Sequence, residues 1–204
     1  MNLSSPPEEE EESKSAEEQT QEPQEEGTQE DAPLPQVRAT SLYGDVNEEN
    51  AREVVYSLLV LGEAPEPFDF YVSTKGGTTA DMFAIYDIMR RVRENSEIHT
   101  YGIGKVMSAG VLILAAGTTG KRKIGKNCRL MLHPAQTGFE GSSNRAKQHV
   151  SEIKLIENLY LDSLVEETDG KLTKSYLKKL IKNDTNVYFN AEEAVKKGIA
   201  DIIV

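Results

Sequence analysis

The chain has 204 residues, 34 acidic against 23 basic side chains, and a formal net charge of −11. Twelve of those acids lie in residues 1–37 against a single cation, Lys14, which leaves 22 acids and 22 bases in residues 38–204. The acidity therefore belongs to a segment, and the neutral remainder excludes a basic nucleic-acid-binding domain.

Residues 1–37 also carry five of the eight prolines and no aromatic residue. Such a stretch cannot bury enough surface to offset its ordering entropy, so it is expected to be a disordered acidic tail or a pro-segment. It lacks the basic start and apolar run of a secretory signal, and a transit peptide is poor in acids. Residues 38–204 are enough for one domain with a sizeable core. Cys128 is the only cysteine, which excludes an intrachain disulfide, a zinc cluster and a CxxC pair, and favours a reducing, cytoplasmic setting. No apolar run is long enough for a membrane span.

Short β-rich runs alternate with helical ones. Residues 68–73 read as a strand, broken by Gly76-Gly77. A helix follows over 79–93, since Met82, Ile85, Tyr86, Met89 and Val92 recur at spacings of three and four. Residues 97–102 are the next strand, and 108–116 an apolar helix entered through Gly104. Another strand covers 128–133. The longest helix spans about 145–167, with Ala146, Val150, Ile153, Ile156, Tyr160 and Leu164 on one face. Asn190 and Glu193 have the spacing of a capping box, and Gly198 supplies a stop. Alternation of this kind implies βαβ units in an α/β domain.

Two nucleotide readings fail on their own residues. Gly102-Ile103-Gly104 would need glycine at position 107, which is methionine, and Gly120-Lys121 lacks the Ser or Thr of a P-loop. Lys121-Arg122-Lys123 reads as a solvated turn. Nucleophilic catalysis fares better. Ser108 opens the apolar helix, where free N–H groups favour a developing anion, and His133 ends a strand just before Pro134, pointing out of the core. The local sequence is not GxSxG, because Val106 replaces the first glycine, so an α/β-hydrolase is disfavoured. Taken separately, a serine at a helix start is usually a cap and a lone histidine is usually structural. His99, within a strand, and His149, on a polar helix face, are read as structural.

Four ordered blocks resemble the Clp protease proteolytic subunit (ClpP) family. They are Tyr71-Val72-Ser73-Thr74-Lys75-Gly76-Gly77 with Ile85-Tyr86-Asp87-Ile88-Met89; residues 104–117 around Ser108; Gly120-Lys121-Arg122 through Leu132-His133-Pro134; and Tyr188-Phe189-Asn190-Ala191-Glu192-Glu193-Ala194 with Gly198-Ile199-Ala200-Asp201. The similarity covers about residues 40–204. It implies a ClpP/crotonase-like α/β spiral of ββα units with a handle helix and strand, and a serine-type endopeptidase with no cofactor and no metal. Ser108 matches the nucleophile and His133 the general base, while the N–H groups of Gly77 and Ala109 match the oxyanion hole. Asn186 stands where the family usually has the orienting aspartate, with Asp184 as the alternative third member. Asparagine could hold the histidine tautomer but could not stabilise an imidazolium by charge, a change that costs about 10⁴-fold in a serine protease.

The resemblance also implies a homo-oligomer. Residues 136–141 and helix 145–167 match the handle that joins heptameric rings into a tetradecamer, and an ATP-driven AAA+ unfoldase would feed unfolded proteins or peptides into the chamber. Thr185, where arginine usually makes a ring-to-ring contact, leaves a single ring open. Three alternatives accompany this reading: a catalytically weak or inactive ring subunit, a crotonase-fold enzyme acting on acyl-thioesters, and a viral head-maturation peptidase of the same superfamily.

Overall fold

The computed structural model describes residues 37–182 and 185–204. The expectation for the acidic tail therefore falls, apart from Val37, outside the described residues, as does Asp184. In chain order the elements are β1 (Ala39–Tyr43), α1 (Glu48–Gly62), β2 (Phe68–Thr74), α2 (Thr79–Val92), β3 (Ile98–Met107), α3 (Ala109–Ala115), β4 (Lys123–Ile124), β5 (Arg129–Leu132), α4 (Ser143–Glu167), α5 (Lys174–Leu180), β6 (Val187–Phe189), α6 (Ala191–Lys196) and β7 (Ile202–Ile203).

The fold is α/β around a parallel sheet, in agreement with the sequence reading. Strands run β1-β2-β3-β4-β7 in parallel, β5 pairs in parallel with β3, and β6 joins β5 antiparallel. Every parallel neighbour needs a crossover, and α1 and α2 supply the first two. Helix α1 starts where the Asn47 side chain caps Asn50 N–H, and α2 where Thr78 caps Asp81 N–H. The predicted face of α2 is the buried one, Met82 through Val92. Helix α3 is buried throughout, packed among β2, β3, α2 and α4. Each of Leu112, Ile113 and Leu114 contributes about 2 kcal/mol of burial there.

Three departures from the sequence reading have physical causes. First, β3 does not stop at Gly102. Val72 pairs with Gly102 but Thr74 pairs with Val106, so β3 carries a bulge that Gly104 makes possible at φ 62°. Before the bulge β3 pairs with β4, and after it with β5. Second, α4 has the predicted length, but its apolar stripe is not core throughout. Only Leu161, Leu164 and Glu167 are buried, while Val150, Leu155 and Leu159 are each about half exposed. The handle strand expected at 136–141 has no ladder among the described residues; Thr137 bonds His149 at 2.6 Å and Phe139 stacks on its ring.

Third, Lys121-Arg122-Lys123 is not a solvated turn. Arg122 is 1% exposed. Its Nε and Nη2 donate to the two oxygens of Asp201 at 2.8 and 2.6 Å, and Nη1 donates to the Glu167 carbonyl at 2.6 Å. This ties the chain after α6 to the C-terminal end of α4. Lys123 lies in β4 with its ammonium over the Tyr101 ring. Burial alone would push the Asp201 carboxyl up, but the Arg122 hydrogen bonds and charge outweigh it and hold it below the ordinary aspartate value. The stabilisation is thus present above the unfolded aspartate pKa of about 4 and is lost as pH falls below it. Asp201→Asn strands a buried guanidinium and is expected to cost about 3 kcal/mol at neutral pH. Thermal denaturation should show the wild type losing stability below about pH 4, with a shallower loss in the variant.

Candidate active site

β5 builds the site. It pairs with β3 up to Met107–Met131, and Ser108 N–H extends the contact by donating to the Met131 carbonyl at 2.7 Å. The same strand delivers His133 immediately past its end. Ser108 itself has φ 53° and ψ −119°, a conformation that costs a residue with a Cβ about 1–3 kcal/mol. Several contacts hold it there. Tyr160 Oη donates to the Ser108 carbonyl at 2.9 Å, and burial pushes that phenol well above its usual range, so it remains a protonated donor. Gly76 leaves the necessary room, because a Cβ on it would come within 2.6 Å of the Ser108 Cβ. Although Ser108 sits at the N-cap of α3, its side chain makes no capping bond. The hydroxyl is left for other work.

Two residues that line the same cleft as Ser108 carry N–H groups without a partner among the described residues. Val46 bridges the chain at Gly77: Val46 N–H donates to the Gly76 carbonyl and Thr78 N–H to the Val46 carbonyl, both at 2.9 Å. In a parallel bridge of this kind the N–H of the central residue, Gly77, faces the other way. Among the described residues neither Gly77 N–H nor Ala109 N–H is taken by a hydrogen bond. Gly77, Ser108, Ala109 and His133 all line one cleft, with Thr79, Met82, Pro134, Ala135, Ile156, Glu157, Tyr160 and Ile181. A second, more open depression continues from Ser108 and His133 toward Lys75, Gln136 and Ile153.

His133 is half-buried, and its Nδ1 lies 2.6 Å from the Pro134 carbonyl. A carbonyl only accepts, so Nδ1 carries a proton, and in the neutral imidazole it is Nε2 that has the lone pair, the tautomer a general base needs. Nε2 and the Ser108 hydroxyl are not hydrogen-bonded to each other among the described residues. Asn186 is exposed, and although the β5–β6 register that pairs Leu132 with Val187 brings it next in line to His133, no hydrogen bond joins the two among the described residues; His133 Nδ1 has the main-chain acceptor instead. The structure thus gathers four of the predicted residues into one cleft; Asn186 is not among its lining residues, and Asp184 is not described. Among the described residues no cluster of His, Cys, Asp and Glu could hold a metal ion.

Tyr160, Ile156, Glu157 and Ile181 were not anticipated as cleft residues. Tyr160 and Ile156 sit on the apolar stripe of α4, which reads as core from spacing alone. The arrangement of a strained serine, an imidazole of fixed tautomer and two unpaired N–H groups suits attack on a carbonyl with stabilisation of the resulting oxyanion. A family model described as Clp protease matches residues 24–204, beginning inside the acidic segment.

Proposed function

The chain belongs to the Clp protease family, and on that footing we propose that it is a serine-type endopeptidase using Ser108 and His133. The observation that carries this reading is the strained, uncapped Ser108 facing the cleft it shares with His133, Gly77 and Ala109. Ser108 Oγ attacks the peptide carbonyl as His133 Nε2 takes its proton, and the oxyanion accepts from Gly77 N–H and Ala109 N–H. The imidazolium then protonates the leaving amine, the acyl-enzyme forms, and water activated by the same nitrogen releases the acid. In this scheme the Pro134 carbonyl orients His133.

The proposal extends to assembly. Tyr56, Val60, Leu155 and Leu159 leave apolar surface open on α1 and α4, which supports burial between copies in a heptameric ring, with α4 as the handle to a second ring. An AAA+ unfoldase would supply unfolded chains, and a cytoplasmic setting fits the single buried thiol of Cys128.

Intact-mass labelling with a fluorophosphonate tests the chemistry without any guess about substrate. A single adduct mapping to Ser108 is the expected result, and none on the folded protein sinks the reading. That second outcome would favour a catalytically weak ring subunit, a reading supported by the absent Ser108–His133 hydrogen bond and the exposed Asn186. Asn186→Ala is expected to leave the labelling rate within about threefold, because His133 Nδ1 bonds the Pro134 carbonyl and not Asn186; a loss approaching the ~10⁴-fold typical of an orienting residue would reinstate it.

A further inference from the structure

The walls of the cleft beside Ser108 are mostly apolar: Met82 from α2, Ile156 from α4 and Ile181 just past α5. One carboxylate interrupts them. Glu157 is half-buried, and its Oε2 accepts Ala135 N–H at 3.2 Å. Among the described residues no lysine or arginine pairs with it, and no second donor reaches it. Its position is fixed from both sides. Tyr160, one turn further along α4, holds the Ser108 carbonyl, and Ala135 lies two residues beyond His133.

A partly desolvated carboxylate with a single neutral donor gains most from a charged one. A long aliphatic stem ending in a cation matches both parts of this lining, its methylenes on the apolar wall and its head at the acid. A purely apolar side chain of equal length would instead shut the carboxylate away from water with no partner, at a cost. We propose that Glu157 is a specificity-determining residue, selecting a lysine or arginine side chain at the residue preceding the scissile bond. The inference rests on the Ser108 reading for the word "scissile", and on the cleft alone for the cation.

The test is binding of short peptide amides ending in lysine or in norleucine to the full chain, read by calorimetry or saturation-transfer NMR. The two differ only in the ammonium group. Lysine is expected to bind roughly tenfold to a hundredfold tighter, with the advantage shrinking at about 1 M salt. In Glu157→Gln, which keeps an acceptor for Ala135 N–H, the ratio should fall toward one. Equal binding, or a preference for norleucine, overturns the proposal, as does a lysine preference that survives both salt and Glu157→Gln. If Glu157 only anchors Ala135, both peptides change together and the ratio stays put, which also overturns it. Because this readout is non-covalent, it separates from the peptidase reading. A lysine preference without a fluorophosphonate adduct removes the peptidase and keeps the cation site; an adduct without the preference does the reverse.

Discussion

Replacing His133 with alanine is expected to slow phosphonylation of Ser108 by roughly 10³- to 10⁴-fold, and peptide hydrolysis by at least as much. The size of the effect follows from what the imidazole does. A serine hydroxyl is a weak nucleophile until a base removes its proton, and no other group among the described residues can stand in. Glu157 shares the cleft, but a carboxylate is intrinsically a weaker base than an imidazole. His99 lies in β3 beside Asp69 and Glu97, and His149 bonds Thr137; neither lines the cleft. The measurement is the second-order labelling rate of wild type and variant, with melting temperature as a control for folding. A His133→Ala variant labelling within tenfold of wild type would remove the histidine from the mechanism. The tautomer argument adds a second expectation. The acceptor for Nδ1–H is a main-chain carbonyl, so no side-chain substitution at Asn186 should reproduce the effect of losing the histidine.

How much of this was legible in the sequence depended on whether a signal was local. The α2 face is a local period, and the Asn190–Glu193 capping box is a local pair; both reciprocal bonds are present, at 2.8 and 2.9 Å. Residues 38–67 gave no such signal. The stripe of α1 is Ala51, Val54 and Leu58, but Tyr56, Leu59 and Val60 leave apolar surface outside it and blur the period. The continuation of β3 through Gly104 is set by its neighbours, because β4 takes one half and β5 the other. Arg122 was misread for the same reason: its partner is Asp201, 79 residues away, and only the fold reveals that the cation is buried.

The candidate site divides along the same line. Ser108 and His133 stood out because each ends or opens an element at a polar position, and the resemblance joined them. Their meeting in one cleft is a property of the β3–β5 pairing. Tyr160, which reaches Ser108 across 52 positions, could not be separated from the core residues on its own helix. The same holds for Glu157, an acid on a helix rich in acids and lysines until the fold turns it toward the cleft.

The second large effect is expected at Gly77. A Cβ there would collide with the Val46 carbonyl oxygen and come within 2.7 and 2.9 Å of the Val46 carbonyl carbon and Cα. These are backbone atoms held by the bridge that Val46 makes through Gly76 and Thr78, so they cannot rotate aside as a side chain would. Gly77→Ala must therefore open the bridge, and opening it swings the Gly77 N–H away from Ser108. Loss of one oxyanion donor costs about 10²- to 10³-fold in turnover, and labelling of Ser108 should fall by a similar factor, since the phosphonyl oxygen would use the same N–H groups. Global stability should fall less sharply, because the bridge lies outside the long ladders of β1–β2 and β2–β3. Gly125→Ala is the matched control: the nearest atom to its added Cβ is the Gly102 oxygen at an ordinary 3.5 Å. If Gly77→Ala labels as fast as Gly125→Ala while remaining folded, the N–H of Gly77 does not face the oxyanion, and Ala109 would have to stabilise it with a different partner.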